Sequence, residues 1–273
     1  MARALARSGW ATDIGMRELN EDAYLADSPV FLVSDGMGGY AAGEVASQTA
    51  VRCFRPLTGY EFVTGEQLEA TIADAAREVD ALAHADKTPG CTLSGIVLSR
   101  QGKFPCARVF NIGDSRTYHL SGAGFSQVTR DHSEVQKLVD AGRLSVEEAR
   151  YSRYRNVITR ALGARSGPSV RADTFLLPLN MGDRFVICSD GLSGSVREEE
   201  IAEIARYMED TKETAETLVQ RALGAGTTDN VTVVVVDILD CAPQWEYSDS
   251  NGITVSAAPR SARDDTVPRQ LRG

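Results

Sequence analysis

The chain repeatedly sets an aspartate at the end of an apolar run. Val30-Phe31-Leu32-Val33-Ser34 leads into Asp35-Gly36, and Phe185-Val186-Ile187-Cys188-Ser189 leads into Asp190-Gly191. Asp229-Asn230 stands just ahead of Val231-Thr232-Val233-Val234-Val235-Val236, and Asp114 sits in Asn111-Ile112-Gly113-Asp114-Ser115-Arg116. Short apolar runs bounded by glycine read as buried strands. A carboxylate at such a strand's end is held at the rim of the core. Several rims meeting at one place would make an all-oxygen pocket for hard divalent cations. Two such cations side by side can activate water and cleave a phosphate ester.

Around these runs the pattern is mixed. Val63 to Asp86 carries Leu68, Ile72, Ala75, Ala76, Val79 and Leu82 at helical spacing behind Thr64 as an N-cap, and Ala41 to Phe54 reads as a second helix of small residues. Thr92–Ser99, Ala107–Ile112, Thr117–Leu120 and Phe125–Val128 read as strands between Gly-rich turns. Helices near Glu198–Met208 and Lys212–Leu223 precede a closing strand over Val231–Leu239. Regular β-α alternation is missing. The predicted fold class is therefore α+β, with antiparallel sheet covered by helices.

Residues 1–240 read as one domain, within the range a 273-residue chain allows. Ser133 to Leu162 is polar and rich in arginine (Arg143, Arg150, Arg153, Arg155, Arg160), which predicts a mobile segment over the site. From about Cys241 to Gly273, Ser, Asp, Pro, Arg and Gly dominate, which predicts a disordered tail over 241–273.

Several classes are disfavoured. A net charge of −9 argues against nucleic acid as a partner. No apolar run approaches the ~20 residues that span a bilayer, and the N-terminus shows no secretory h-region. The five cysteines form no C-x-x-C pair and read as free thiols in a reducing compartment, which predicts a cytoplasmic protein. Gly102-Lys103 is followed by Phe104, so there is no P-loop. No cysteine has an arginine six positions on, as a cysteine-nucleophile phosphatase loop needs. Three histidines are too few for most His-rich zinc sites. What remains is carboxylate chemistry, and Asp-rich sites select Mg²⁺ or Mn²⁺ over softer metals.

Eight motifs then occur in one order: Arg17-x-x-Asn20-Glu21-Asp22, Asp35-Gly36-x-Gly38-Gly39, Gly90-x-Thr92, Asn111 to Arg116, Thr129-x-Asp131-His132, Thr159-Arg160-Ala161-Leu162-Gly163, Ser189-Asp190-Gly191 and Asp229-Asn230-x-Thr232. Over roughly residues 8–239 the chain resembles the metal-dependent serine/threonine protein phosphatases of type 2C, in their compact bacterial form. The resemblance implies a central β-sandwich of two antiparallel sheets flanked by helix pairs. It implies phosphoserine/phosphothreonine hydrolysis by metal-activated water, with phosphoproteins as substrates and a serine/threonine kinase as opponent. It implies two core Mn²⁺ or Mg²⁺ ions, bridged by Asp35, with the Gly36 carbonyl on one and Asp190 and Asp229 on the other. A third ion would use Asp114 with Asp190. Glu21 and Asp22 would orient metal-bound waters, Asn230 would aim Asp229, and Arg17 would grip the phosphate. The 133–162 segment falls where the family has its flap.

One position departs from the eukaryotic pattern: Met37 stands where a candidate general-acid histidine follows Asp-Gly, and it cannot donate a proton. His132 is expected to be a structural partner of Asp131, and Cys188 a buried core thiol. Arg153 and Arg155 of the flap would attract acidic phosphopeptides, or form a plain solvated loop. A monomer is expected. The alternatives are a noncatalytic pseudophosphatase, against which the complete ligand set argues, and a small-molecule phosphoesterase.

Overall fold

The apolar runs are strands buried on both faces, which is why they lack polar alternation. Val30 and Leu32 of β3 (Val30–Met37) point to one apolar layer, and Phe31 and Val33 to another. Val231, Val233 and Val235 of β12 (Val231–Ala242) face one layer, and Val234, Val236 and Ile238 the next. The structure, a computed structural model, describes residues 3–38, 42–84, 88–164, 170–242, 247–248 and 254–255.

Two antiparallel sheets make the sandwich. One runs β1 (Arg3–Asp13), β12, β11 (Arg184–Cys188), β7 (Arg116–Ser121) and β8 (Gly124–Gln127). The other runs β10 (Asp173–Pro178), β6 (Phe104–Ile112), β5 (Leu93–Gln101) and β3, with β2 (Asp22–Asp27) on the far side of β3. Two short strands, β4 (Gly90–Cys91) and β9 (Leu162–Gly163), extend it past Asp35. Phe31, Ile96, Val109, Phe185, Ile187 and Val234 fill the space between the sheets.

Helices cover both outer faces. Helix α1 (Ala42–Phe54) and α2 (Gly65–Asp80) pack Phe54, Leu68, Ile72 and Val79 on the second sheet. Thr64 and Gln67 close α2 with a reciprocal capping box, as the sequence suggested. The helix stops at Asp80, short of Asp86. Helix α6 (Glu198–Tyr207) and α7 (Thr211–Gly224) pack Ile201, Leu218 and Val219 on the first sheet. The predicted α+β sandwich is the one observed.

Strands β1, β2 and β10 have no long apolar run and were not individually legible. β1 is a sheet edge, and most of its residues are not buried. Within the predicted flap, α3 (Glu134–Asp140) and α4 (Val146–Arg150) form, and Ile158 makes one bridge to Ser133. β12 runs to Ala242, past the expected boundary at 240. Most of the predicted 241–273 tail lies outside the described residues; within it Tyr247–Ser248 pairs with Thr254–Val255.

Candidate metal centre and phosphate site

The strand ends meet at one end of the sandwich. Asp35 lies near the end of β3, and the β2–β3 register sets Asp22 directly opposite it. Asp190 follows β11 by way of Ser189 and opens the short helix α5 (Asp190–Ser193). Asp229-Asn230 enters β12, the neighbour of β11. Asp114 lies in the turn between β6 and β7, where the chain crosses from one sheet to the other. At Gly36 any side chain would strike the backbone oxygens of Gly43 and Glu21, at 2.2 and 2.6 Å from a Cβ. Only glycine lets α1 start against this strand end.

Hydroxyls and amides hold the acids in place. Ser189 Oγ donates to Asp22 Oδ2 at 2.7 Å and accepts the Thr232 N–H at 2.9 Å. The Asp35 N–H donates to Thr92 Oγ1 at 2.9 Å, and Thr92 shares a 2.7 Å bond with Ser115. Glu21 Oε1 accepts the Gly43 N–H at 3.2 Å. Asn230 ties three points of one segment together: its Oδ1 accepts the Glu21 N–H, and its Nδ2 donates to the carbonyls of Ile14 and Leu19, all at 2.9 Å. Arg17, in the loop those carbonyls bound, reaches Asp229 Oδ2 at 2.7 Å.

The electrostatics are those of crowded anions. Burial, opposed by hydrogen bonds from Thr232 and Ser189, pushes Asp22 up to about 7. Burial and then the Asp229 charge push Asp190 up to about 6. Asp35 is held well above the usual carboxylate range by burial and by Asp22, Asp190, Asp114 and Asp229. Asp114 rises for the same reason, with Asp190 its leading neighbour. Asp35 and Asp190 are close enough that the Asp190 charge opposes the ionisation of Asp35. Such a pair needs positive charge between its members, either a proton or a cation.

The donor set fits a hard dication. Asp22 Oδ1, Asp114 Oδ1 and Asp190 Oδ1 are buried and have no hydrogen-bond partner. Buried carboxylate oxygens are costly to leave so unless a cation satisfies them. Among the described residues no three His, Cys, Asp or Glu side chains stand as a ready-made cation cage.

The family model described as Protein phosphatase 2C matches residues 14–231. The chain belongs to the protein phosphatase 2C family. It is similar to the serine/threonine protein phosphatase PstP of Mycobacterium tuberculosis, at 36% identity over 267 residues, covering 94% of this chain and 49% of that protein. The chain thus spans about half the length of that relative. Serine/threonine phosphatase stp of Listeria monocytogenes is 33% identical over 222 residues, covering 77% of this chain and 85% of its own. The solved catalytic domain of PstP, in complex with 2 manganese ions, matches with a TM-score of 0.78 at 35% identity, covering 87% of this chain and 100% of that one. The phosphatase MsPP of Mycobacterium smegmatis, in complex with cacodylate, matches with a TM-score of 0.77 at 35% identity, covering 88% and 100%.

In this protein phosphatase 2C domain, Asp22, Asp35, Asp114, Asp190 and Asp229 form one mutually interacting group, with Arg17 paired to Asp229 at its edge. Glu21 and Asn230 lie beside it through their hydrogen bonds. Gly36 follows Asp35 on the same strand end. The supporting roles of Thr92, Ser115, Ser189 and Thr232 were missed. Three of them sat inside or beside the motif aspartates, but a hydroxyl's partner is a matter of tertiary contact.

The reading of His132 needs correction. Asp131 is gripped by the Arg116 fork, at 3.0 and 2.7 Å, and by the Gln127 amide at 2.9 Å. His132 instead accepts the Gly113 N–H on Nδ1 and faces Asp173 through Nε2, both at 3.1 Å. With Nδ1 an acceptor, the proton sits on Nε2. Cys188 is a fully buried thiol, pushed up to about 12 by burial.

Asn230→Ala should cost about 2–4 kcal/mol, because three part-buried hydrogen bonds vanish together. It should also raise KM more than it lowers kcat, since it frees the Arg17 loop. Calorimetric melting and phosphopeptide kinetics check both. An unchanged melt with an unchanged KM would mean that other contacts hold the loop.

Proposed function

We propose that this chain hydrolyses phosphoserine and phosphothreonine in proteins, in a metal-dependent reaction. The observation that carries this reading is the group of buried, unpartnered aspartate oxygens beside an arginine at the rim. Asp35, the Gly36 carbonyl, Asp190 and Asp229 would hold two Mn²⁺ or Mg²⁺ ions, and Asp114 with Asp190 a third. Bound dications supply Lewis-acid activation of water and neutralise phosphate oxygens. Arg17 would leave Asp229 to grip two phosphate oxygens as a fork. Asp22, bonded to Ser189, and Glu21, bonded to Gly43, would orient water through hydrogen bonds. Met37 has no proton to give, so the leaving alcohol takes its proton from another source.

Residues 1–240 would be the catalytic domain, opposed by a serine/threonine kinase and acting as a monomer. A cytoplasmic location is supported by five free cysteines, three of them buried. Among the described residues no helix is long and apolar enough to cross a membrane.

The test is hydrolysis of a phosphothreonine peptide with EDTA, Mg²⁺ or Mn²⁺. Turnover should require metal. Arg17→Ala should raise KM about tenfold or more with a smaller effect on kcat. An unchanged KM would remove Arg17 from the phosphate site. Absence of turnover with any metal, in folded protein, would favour a noncatalytic binding role.

A further inference from the structure

The loop that carries Arg17 presents an unusual set of side chains to solvent. Ile14, Met16 and Leu19 are exposed by 40%, 73% and 44%. Single exposed apolar residues are ordinary on any protein. Three within six residues, flanking one arginine at the edge of an acidic site, are not scattered. The backbone that carries them is pinned. Asn230 ties down the carbonyls of Ile14 and Leu19, the Arg17 N–H donates to the Ile14 carbonyl at 3.3 Å, and the Arg17 side chain is drawn to Asp229.

Charge points the same way. Two bound dications would offset much of the aspartate charge in the floor of the site, but their +4 falls short of the chain's net charge of −9. The flap arginines could have offset this, but several are committed elsewhere. Arg150 points its guanidinium at the carbonyls of Ser193, Gly194 and Val196, at 3.3–3.4 Å. Arg153 lies over the Tyr154 ring, and Arg160 pairs with Asp173. An acidic segment would approach a chain that stays acidic overall and would find Arg150, Arg153 and Arg160 already engaged. An apolar one would meet Ile14, Met16 and Leu19.

We propose that these three side chains form an apolar collar that selects phosphoacceptors flanked by apolar rather than acidic residues. This deepens the phosphatase reading and rests on it. The peptide residue next to the phosphorylated one would lie over Met16 while Arg17 holds the phosphate, so that selectivity and phosphate binding come from one loop.

The experiment uses the full chain with Mn²⁺ and two phosphothreonine peptides. They differ only in the neighbours of the phosphothreonine, valine and leucine in one, aspartate and glutamate in the other. p-Nitrophenyl phosphate, which has no neighbours, is the control. The apolar peptide should have the higher kcat/KM by about tenfold. Met16→Ser and the pair Ile14→Ser with Met16→Ser should shrink that ratio towards one, leaving the control within about twofold because these side chains are exposed. Equal kcat/KM for both peptides, a preference for the acidic one, or a ratio unmoved by the substitutions would overturn the collar while the phosphatase stands. Failure to hydrolyse even the control would overturn the phosphatase reading itself, and the collar with it.

Discussion

Asp35→Asn should cut metal-dependent hydrolysis by roughly a thousandfold or more, yet leave the metal-free protein at least as stable as before. The two halves have one cause. Asp35 is buried among Asp22, Asp190, Asp114 and Asp229, and their charges all oppose its ionisation. That crowding is what a dication needs and what an ion-free fold tolerates poorly. The asparagine keeps the shape and the backbone bond to Thr92, and it removes one charge from the crowded group. The charge that would bridge two ions is gone. Phosphopeptide turnover in Mn²⁺ and melting in EDTA, measured on the same preparation, check it. Full turnover would remove Asp35 from the centre. A melting temperature many degrees lower would mean that the lost activity reports unfolding.

Stability without metal should fall as pH rises, and added Mn²⁺ should cancel that fall. Asp190 and Asp22 bind their protons more tightly folded than unfolded, with values near 6 and 7 in the fold against an ordinary 3.8. Their protonated forms stabilise the fold fully at acid pH, and this contribution is lost as pH passes through those values. Between pH 5 and 8 the loss is of the order of 3–5 kcal/mol, roughly 10 °C in melting temperature for a domain of this size. Asp140, Asp173 and Asp210 are shifted downward, so they are already ionised across this window. A dication binds only the ionised acids, so its stabilisation grows with pH, reaching about 2.7 kcal/mol at a hundredfold excess over Kd. Thermal melts in EDTA and in Mn²⁺ at pH 5.5 and 8 give the four values required. A melting temperature in EDTA that rises with pH would contradict the clustering of these acids.

The buried strands, the covering helices and the five aspartates were legible because each has a local signal, whereas the division into two sheets came only with the family resemblance. A run such as Val231 to Val236 can only be a strand buried on both sides, and an aspartate at its mouth is conspicuous. β1 was not legible, since an edge strand paired on one side needs no apolar run. His132 beside Asp131 in sequence suggested a pair. In the fold, Arg116 takes Asp131 and the imidazole turns to Asp173, because the partners of both side chains come from other elements. The work of Asn230 was beyond reach for the same reason. Its three partners, Ile14, Leu19 and Glu21, lie more than 200 positions away.

The sequence alone determined which elements form and which side chains carry negative charge at their ends, because propensity, periodicity and burial pattern act over a few residues. Only the tertiary structure decided that those ends share one place. Packing the two sheets face to face brings β3 and β11 together at one end of the core, and with them Asp35 and Asp190. The rise of their proton affinities, the pinning of Arg17 and the outward set of Met16 all follow from that closure. They are properties of distance and dielectric, which a linear order of residues does not contain.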